Sequence, residues 1–233
     1  MNENRLTFFL DGDVNKPIEF VCTKIVNAGY TGKNQEEVRK HIEELKELGV
    51  PAPDSVPTYY AKRCDLLTFG PVLEVADTDN TGEAEYVILI AEDDIYIAAG
   101  SDHTDRNLEV TSVIPKAKQM CPNVISRAVW RLSDVQDHWD DIIIRAWIDG
   151  NPDVAYQEAT LAAMLNPQEI IELVKPLVDG DLVGTAIFSG TVATIGEIRF
   201  SDKYEMVLED KVRNQTLYCG YSIQTFPWFK EPK

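Results

Sequence analysis

Glu83 and Glu85 stand two residues apart in the run Gly82-Glu83-Ala84-Glu85-Tyr86-Val87-Ile88-Leu89-Ile90. Strand side chains alternate, so both glutamates point the same way. The rest of the run is apolar on both faces, the pattern of a strand covered on both sides. Two adjacent carboxylates at the edge of such a strand repel each other and are costly to desolvate unless a cation sits between them. A third carboxylate, Asp102, follows one more short apolar strand, Ile95–Ala99, in Gly100-Ser101-Asp102-His103-Thr104-Asp105-Arg106. Three hard oxygen ligands suit Mg²⁺ or Mn²⁺, with water and substrate completing an octahedron. A strand whose first residues are solvated, with both glutamates in water, fits the same spacing, and spacing alone does not separate the two.

The three histidines divide by context. His41 lies three positions before Glu44 in a helical segment, so the two share a face. A glutamate beside a histidine fixes its tautomer and raises its basicity, as activation of water requires. The same segment also carries Glu36, Glu37, Glu43 and Glu47, so a solvated face explains the pair equally well. His103, beside Asp102, is a ligand or a hydrogen-bond partner; His138 reads as a surface residue next to a core tryptophan. Ser189-Gly190-Thr191 follows an apolar strand and offers N–H and O–H donors to an anion, although a bare tripeptide of this kind is more often a plain turn. The chain has no nucleophile elbow, Walker loop, dinucleotide-binding glycine pattern or His-Glu-x-x-His.

The elements that must position these groups can be read in outline. Leu6–Leu10 and Ile18–Ile25 read as strands joined by an Asp-Gly-Asp turn. Asn34 to Leu48 is the clearest helix, capped by Asn34, acidic in its first turn and stopped by Gly49 and Pro51. Pro51, Pro53 and Pro57 form a stiff connector. Strands follow at Leu73–Ala76, Glu83–Ala91 and Ile95–Ala99, then a helical or mixed region from Val113 to Asp140. Ile142–Ile148 reads as a strand and Asn166–Leu177 as a helix with Pro167 at its first position. Three strands fill Gly184–Phe226. Many strands with a few separate helices mean α+β on a mixed or antiparallel sheet.

Composition narrows the function classes. The 233 residues, 44% hydrophobic, suffice for one domain with a sizeable core, 1–233, carrying a short N-terminal β extension over 1–25. A formal charge of -17 argues against nucleic acid and against anionic membrane surfaces as partners. Four scattered cysteines without a Cys-x-x-Cys pair read as reduced thiols. The N-terminus lacks signal-peptide features, and no apolar run is long enough to span a bilayer, so the expectation is a soluble, cytoplasmic protein.

Taken in order, the motifs resemble those of the fumarylacetoacetate hydrolase superfamily. They are Gly29-Tyr30, then His41-Ile42-Glu43-Glu44, then Gly49-Val50-Pro51-Ala52-Pro53 with Pro57. Glu83-x-Glu85 and Asp102-His103-Thr104-Asp105-Arg106 follow, with Lys116 and Lys118 ahead of Cys121-Pro122, and Gly184 to Thr191 at the close. The resemblance runs from about residue 25 to 225. The Glu85–Asp102 gap is shorter than is usual there, Glu47 rivals Glu44, and Val192 stands where a proline commonly follows. The resemblance implies a compact mixed β roll of the fumarylacetoacetase C-terminal-domain type with peripheral helices, as a homodimer. It implies Mg²⁺ or Mn²⁺ on Glu83, Glu85 and Asp102, with His41, Glu44 and Lys118 catalytic. Tyr30, Arg106, Lys116, Ser189, Gly190 and Thr191 would then face a small organic acid. The implied activity is metal-dependent hydrolysis of a C–C bond in a 2-oxo acid or 1,3-dicarbonyl compound. The alternatives are a lyase, by decarboxylation or dehydration of a 2-oxo acid, and a non-catalytic member that binds metal and organic acid.

Overall fold

The structure, a computed structural model, describes residues 3–47, 52–53, 55–111 and 114–230. β1 (Asn4–Leu10), β2 (Pro17–Cys22) and β3 (Lys24–Gly29) precede helix α1 (Gln35–Glu47). β4 (Thr58–Lys62), β5 (Leu67–Thr68), β6 (Val72–Val75) and β7 (Asn80–Thr81) lead to the central pair, β8 (Ala84–Ile90) and β9 (Ile95–Asp102). β10 (Thr104–Asp105), α2 (Arg106–Thr111) and α3 (Ile114–Met120) then connect to β11 (Asn123–Arg131). The remainder holds β12 (Ile143–Ile148), β13 (Gln157–Thr160), α4 (Pro167–Val174), β14 (Thr185–Phe188), β15 (Lys203–Asp210) and β16 (Gln215–Thr225).

Nine strands share one sheet, ordered β2-β1-β11-β9-β8-β14-β3-β4, with β5 pairing β11 off that path. β4 ends the path, yet β5 joins β11 on the opposite side after only Arg63 and a short 3-10 turn, Cys64–Leu66. The sheet therefore curls back towards itself into a roll. A second sheet, β13-β12-β15-β16-β6, packs against one face of it. Both sheets mix parallel and antiparallel pairing, and the helices are few and peripheral, an α+β fold.

β8 is buried along its whole length, as its two-faced apolar run requires. Val87 and Leu89 enter a core inside the roll with Phe8, Ile25, Ala98, Ile125 and Phe188. Tyr86, Ile88 and Ile90 enter the larger core between the two sheets, with Trp130, Trp139 and Met206. Each such side chain contributes about 1.5–3 kcal/mol of transfer free energy, so β8 and β9 form the rigid floor on which a site can be built.

Three elements differ from the sequence reading, each for a local reason. Ile18–Ile25 is not one strand: Thr23 and Lys24 both donate their N–H to Gly184 O (2.8 and 3.2 Å), and the chain turns there, sending β2 and β3 to opposite ends of the sheet path. The mixed region after Val113 contains the nine-residue strand β11. Its register shifts between Ile125 and Val129, where Ser126 Oγ accepts from Ala99 N–H and donates to Ala128 O, which hides the alternation. Helix α4 ends at Val174, and Lys175–Leu177 is a 3-10 turn, because Pro176 has no N–H to continue the ladder.

All four cysteines are buried, and none forms a disulfide among the described residues. Burial pushes the Cys22 thiol, with Cys64 adding to it, and the Cys219 thiol up to about 12, from an ordinary value of 9.0. Above about pH 9 the unfolded chain loses these protons while the folded one keeps them, so stability is full below that pH and falls as pH rises towards 12. Each thiol contributes a slope of ~1.4 kcal/mol per pH unit in that window. Urea unfolding at pH 8 to 11 should show a steeper loss for the wild type than for Cys22→Ala/Cys219→Ala; equal slopes would contradict the assignment.

Candidate active site

The polar end of the roll's inner face gathers the candidate groups. Asp102, the last residue of β9, lies opposite Asn123 of β11, and Glu85 of β8 lies opposite Gly100 of β9. A Cβ at Gly100 would meet Val87 Cγ2 at 2.6 Å and Phe188 Cε1 at 2.9 Å, so no side chain fits beside Glu85 there. Glu83 precedes β8 and is tied to β9 through its N–H, which donates to Ser101 Oγ (3.1 Å), and its carbonyl, which accepts from Asp102 N–H (3.3 Å). One oxygen each from Glu83, Glu85 and Asp102 lie within 4.8 Å of one another. Three hard, anionic oxygens at this spacing fit a divalent Mg²⁺- or Mn²⁺-type ion.

Cations meet these acids from three elements. Lys118 of α3 places its Nζ 2.7 Å from Glu83 Oε2, 2.9 Å from Asp102 Oδ2 and 2.8 Å from Thr104 Oγ1. Arg106, at the start of α2, donates to Glu83 Oε1 (2.8 Å), Glu109 Oε2 (2.6 Å) and Thr81 Oγ1 (2.7 Å). Lys62 of β4 reaches across the roll to Asn123 Oδ1 (2.5 Å) and Asp102 Oδ1 (3.5 Å). Burial disfavours the Glu83 carboxylate, but Lys118 and Arg106 outweigh it and hold this acid down at about 2. Burial likewise disfavours the Lys118 ammonium, and Asp102 with Glu83 outweighs it and raises its pKa. Lys62 shifts downward, because burial dominates over Asp102. Among the described residues Glu85 has only a backbone donor, Gly190 N–H at 3.0 Å, and burial with Asp102 and Glu83 pushes it well above the carboxylate range. A bound cation is what would relieve it.

His103 is a fully buried hydrogen-bond partner whose tautomer follows from its neighbours. Asn80 donates its Nδ2 to Asp77 O (2.6 Å), so its Oδ1 faces His103 Nε2 (2.6 Å), which carries the proton. His103 Nδ1 then accepts from Tyr221 OH (2.8 Å), and Tyr221 accepts from Ser101 Oγ–H (2.8 Å). Ser101 is the residue that receives the Glu83 N–H. Burial, with Arg106 and Lys62 adding, pushes His103 down to about 3, so it stays neutral.

The other candidates are placed as follows. Tyr30 is half-buried at a positive φ of 57° and is pushed to about 12 by burial, then by Tyr60, Glu109 and Glu83. Lys116 is exposed on α3 while Lys118 points inward. Ser189 and Thr191 spend their hydroxyls on Gly190 O and Ala84 O (2.8 Å each), leaving the backbone N–H of Gly190 as the donor that faces the acids. The backbone of His41 and Glu44 belongs to α1, which Asn34 caps by accepting from Glu36 and Glu37 N–H; their side chains lie outside the described residues. Lys62, Asn123 and Asn27 were not singled out by sequence. Their only sequence signal is a polar residue set into an apolar strand.

A curled mixed sheet of this kind is the fold of solved fumarylacetoacetate hydrolase family proteins. The chain is similar to a structure from Oleispira antarctica provisionally described as a fumarylacetoacetate isomerase/hydrolase, with 22% identity, 93% of this chain and 98% of that chain covered, and a TM-score of 0.66. It is also similar to one from Burkholderia cenocepacia provisionally described as a fumarylpyruvate hydrolase (16%, 97% and 94%, TM-score 0.68). A 2-hydroxyhepta-2,4-diene-1,7-dioate isomerase from Mycobacterium marinum has the same fold (16%, 92% and 80%, TM-score 0.62). By sequence, the chain belongs to the family described as protein of unknown function DUF2848, whose pattern matches residues 28–221. Comparison with curated proteins gives no match. Among the described residues, no helix is long and apolar enough to cross a membrane.

His103→Leu would strand Asn80 Oδ1 and Tyr221 OH in a buried pocket, each at about 1–3 kcal/mol. The expected loss in urea unfolding is about 2–4 kcal/mol. A loss below about 0.5 kcal/mol would mean that the chain of bonds to Glu83 does not hold this corner together.

Proposed function

We propose that this protein is a divalent-metal-dependent hydrolase that cleaves a C–C bond in a 2-oxo acid or 1,3-dicarbonyl substrate. The observation that supports this most is the convergence of Glu83, Glu85 and Asp102 within 4.8 Å, with Lys118 bridging Glu83 and Asp102, in a fold shared with proteins described as hydrolases and isomerases. The three carboxylates would hold Mg²⁺ or Mn²⁺, which when bound supplies Lewis acidity where negative charge develops.

The chain's own residues account for the other parts. Lys118 and Arg106 bring fixed positive charge to the side of the cluster where Glu83 lies, and Gly190 N–H adds a donor on the Glu85 side. His41, oriented by Glu44, would take a proton from water. The water oxygen bonds to the distal carbonyl carbon, and the C–C bond beside that carbon breaks. Its electron pair leaves with the carbon next to the 2-oxo group, which is then protonated. One carboxylic acid and one smaller oxo acid result, so atoms and electrons balance. We also read the protein as a cytoplasmic homodimer, with the first half of that reading supported by four cysteines that form no disulfide among the described residues.

Thermal unfolding in EDTA, then with Mg²⁺ or Mn²⁺, with and without oxalate as an enolate mimic, tests the site. The expected result is a metal-dependent rise in Tm that oxalate enlarges and that Glu85→Ala abolishes. Acylpyruvates should then turn over, with ¹⁸O from labelled water in the new carboxylate, and His41→Ala should lower kcat by about 10²–10⁴-fold. No shift with either metal would sink the reading; turnover that leaves ¹⁸O out of the product would replace the hydrolase with a lyase.

A further inference from the structure

Most donors around the acidic cluster are already engaged. Lys118 Nζ has three acceptors, Arg106 donates from all three of its nitrogens, Gly190 N–H serves Glu85, and Lys62 Nζ is held by Asn123 and Asp102. Asn27, on β3 and only 1% exposed, is different: its Nδ2 is buried without a partner among the described residues.

The direction of that amide is fixed by chemistry. Lys62 Nζ donates to Asn123 Oδ1 (2.5 Å) and to Asp102 Oδ1 (3.5 Å). Asn123 then turns its Nδ2 to Asn27 Oδ1 (3.0 Å). Asn27 is left with its NH₂ free as the end of a relay that begins at Lys62 Nζ. Strand register gives the side it occupies. Asn27 lies opposite Phe188, Phe188 lies opposite Val87, and Val87 is two residues from Glu85. Opposed residues share a face, as do residues two apart. Asn27 therefore faces the same interior as Glu85. Thr58, diagonal to Asn27 across the β3–β4 pair and 6% exposed, has an unpartnered hydroxyl on that face too. Diagonal neighbours of this kind sit roughly 7–8 Å apart, close enough to serve one ligand.

A buried, unsatisfied donor is a cost that native structures rarely retain without use. We infer that Asn27, with the Thr58 hydroxyl beside it, is a substrate-binding subsite that takes an acceptor oxygen, carboxylate or carbonyl, of the organic acid. This rests on the metal and oxo-acid reading above. It adds that affinity for the acid depends on a neutral donor pair at the β3–β4 edge of the roll as well as on the cations at α2 and α3.

Calorimetry with the full chain separates the possibilities, using Mg²⁺ alone and then oxalate in saturating Mg²⁺. Asn27→Ala should leave the Mg²⁺ Kd within about twofold while weakening oxalate about tenfold; one neutral hydrogen bond is of that order. Asn27→Asp should weaken oxalate further, by setting an acceptor against an acceptor. Thr58→Val, which keeps the shape at β4, is a second variant should Asn27→Ala not fold, and should weaken oxalate alone. Unchanged oxalate affinity in the variants, or an equal loss of Mg²⁺ affinity, overturns the subsite, the latter because it marks Asn27 as a support for Lys62 and Asp102. Absence of Mg²⁺-dependent oxalate binding in the wild type overturns the metal reading itself, and the subsite with it.

Discussion

Charge compensation in a dry place is the constraint on which the site's architecture depends. Glu83, Glu85, Asp102 and Glu109 crowd the mouth of the roll, and Lys62, Arg106 and Lys118 answer all but Glu85. Leaving one such buried charge unpaired costs about 3–5 kcal/mol. Glu83, just before β8, and Glu85 and Asp102, on the neighbouring strands β8 and β9, are joined by Glu109 of α2, while the cations come from α2, α3 and the distant β4. Only a sheet that curls until β4 faces β11 brings Lys62 within reach of Asp102. The roll's closure and the pairing of its charges are therefore one requirement.

The second sheet supports this mouth from behind. Gln157 of β13 takes the N–H of Ala84 and the hydroxyl of Tyr204 on its Oε1, and donates its Nε2 to Thr191 Oγ1 and Val192 O. One amide thus ties the start of β8 to the turn that carries Gly190. Gly82 is pressed against the Tyr204 ring, where a Cβ would fall 2.6 Å from ring carbons. That contact explains the small residue immediately before Glu83. The position of the acidic pair is set by groups that themselves carry no charge.

Much of this was legible in the sequence, and the parts that were not share a cause. Glu83, Glu85 and Asp102 stand out because strand alternation and an apolar run are local signals. Lys116 and Lys118 could not be ranked from sequence, since residues two apart on a helix face different sides and nothing local says which is inside. Lys62 was invisible because Pro57 speaks for a connector, not a strand, and because its partners lie 40 and 61 positions away. β11 was hidden by its own bulge: Ser126 and Arg127 interrupt the alternation where the strand shifts register. Local chemistry was readable; pairing across the roll was not.

The strand pairings carry a kinetic consequence. β1 lies parallel to β11, joining Phe9 to Ala128, and β6 lies parallel to β16, joining Val72 to Ser222. Such distant contacts demand that large loops close before any contact rewards them, which places a chain among slow-folding topologies, on a scale of milliseconds to seconds or longer. The two central hairpin strands, β8 and β9, can meet early, bringing two carboxylates together while the lysines that neutralise them are still far away. The nascent chain thus passes through a stage at which its own acidic cluster opposes collapse, with Arg106, shortly after Asp102 in sequence, the nearest counter-charge in the chain.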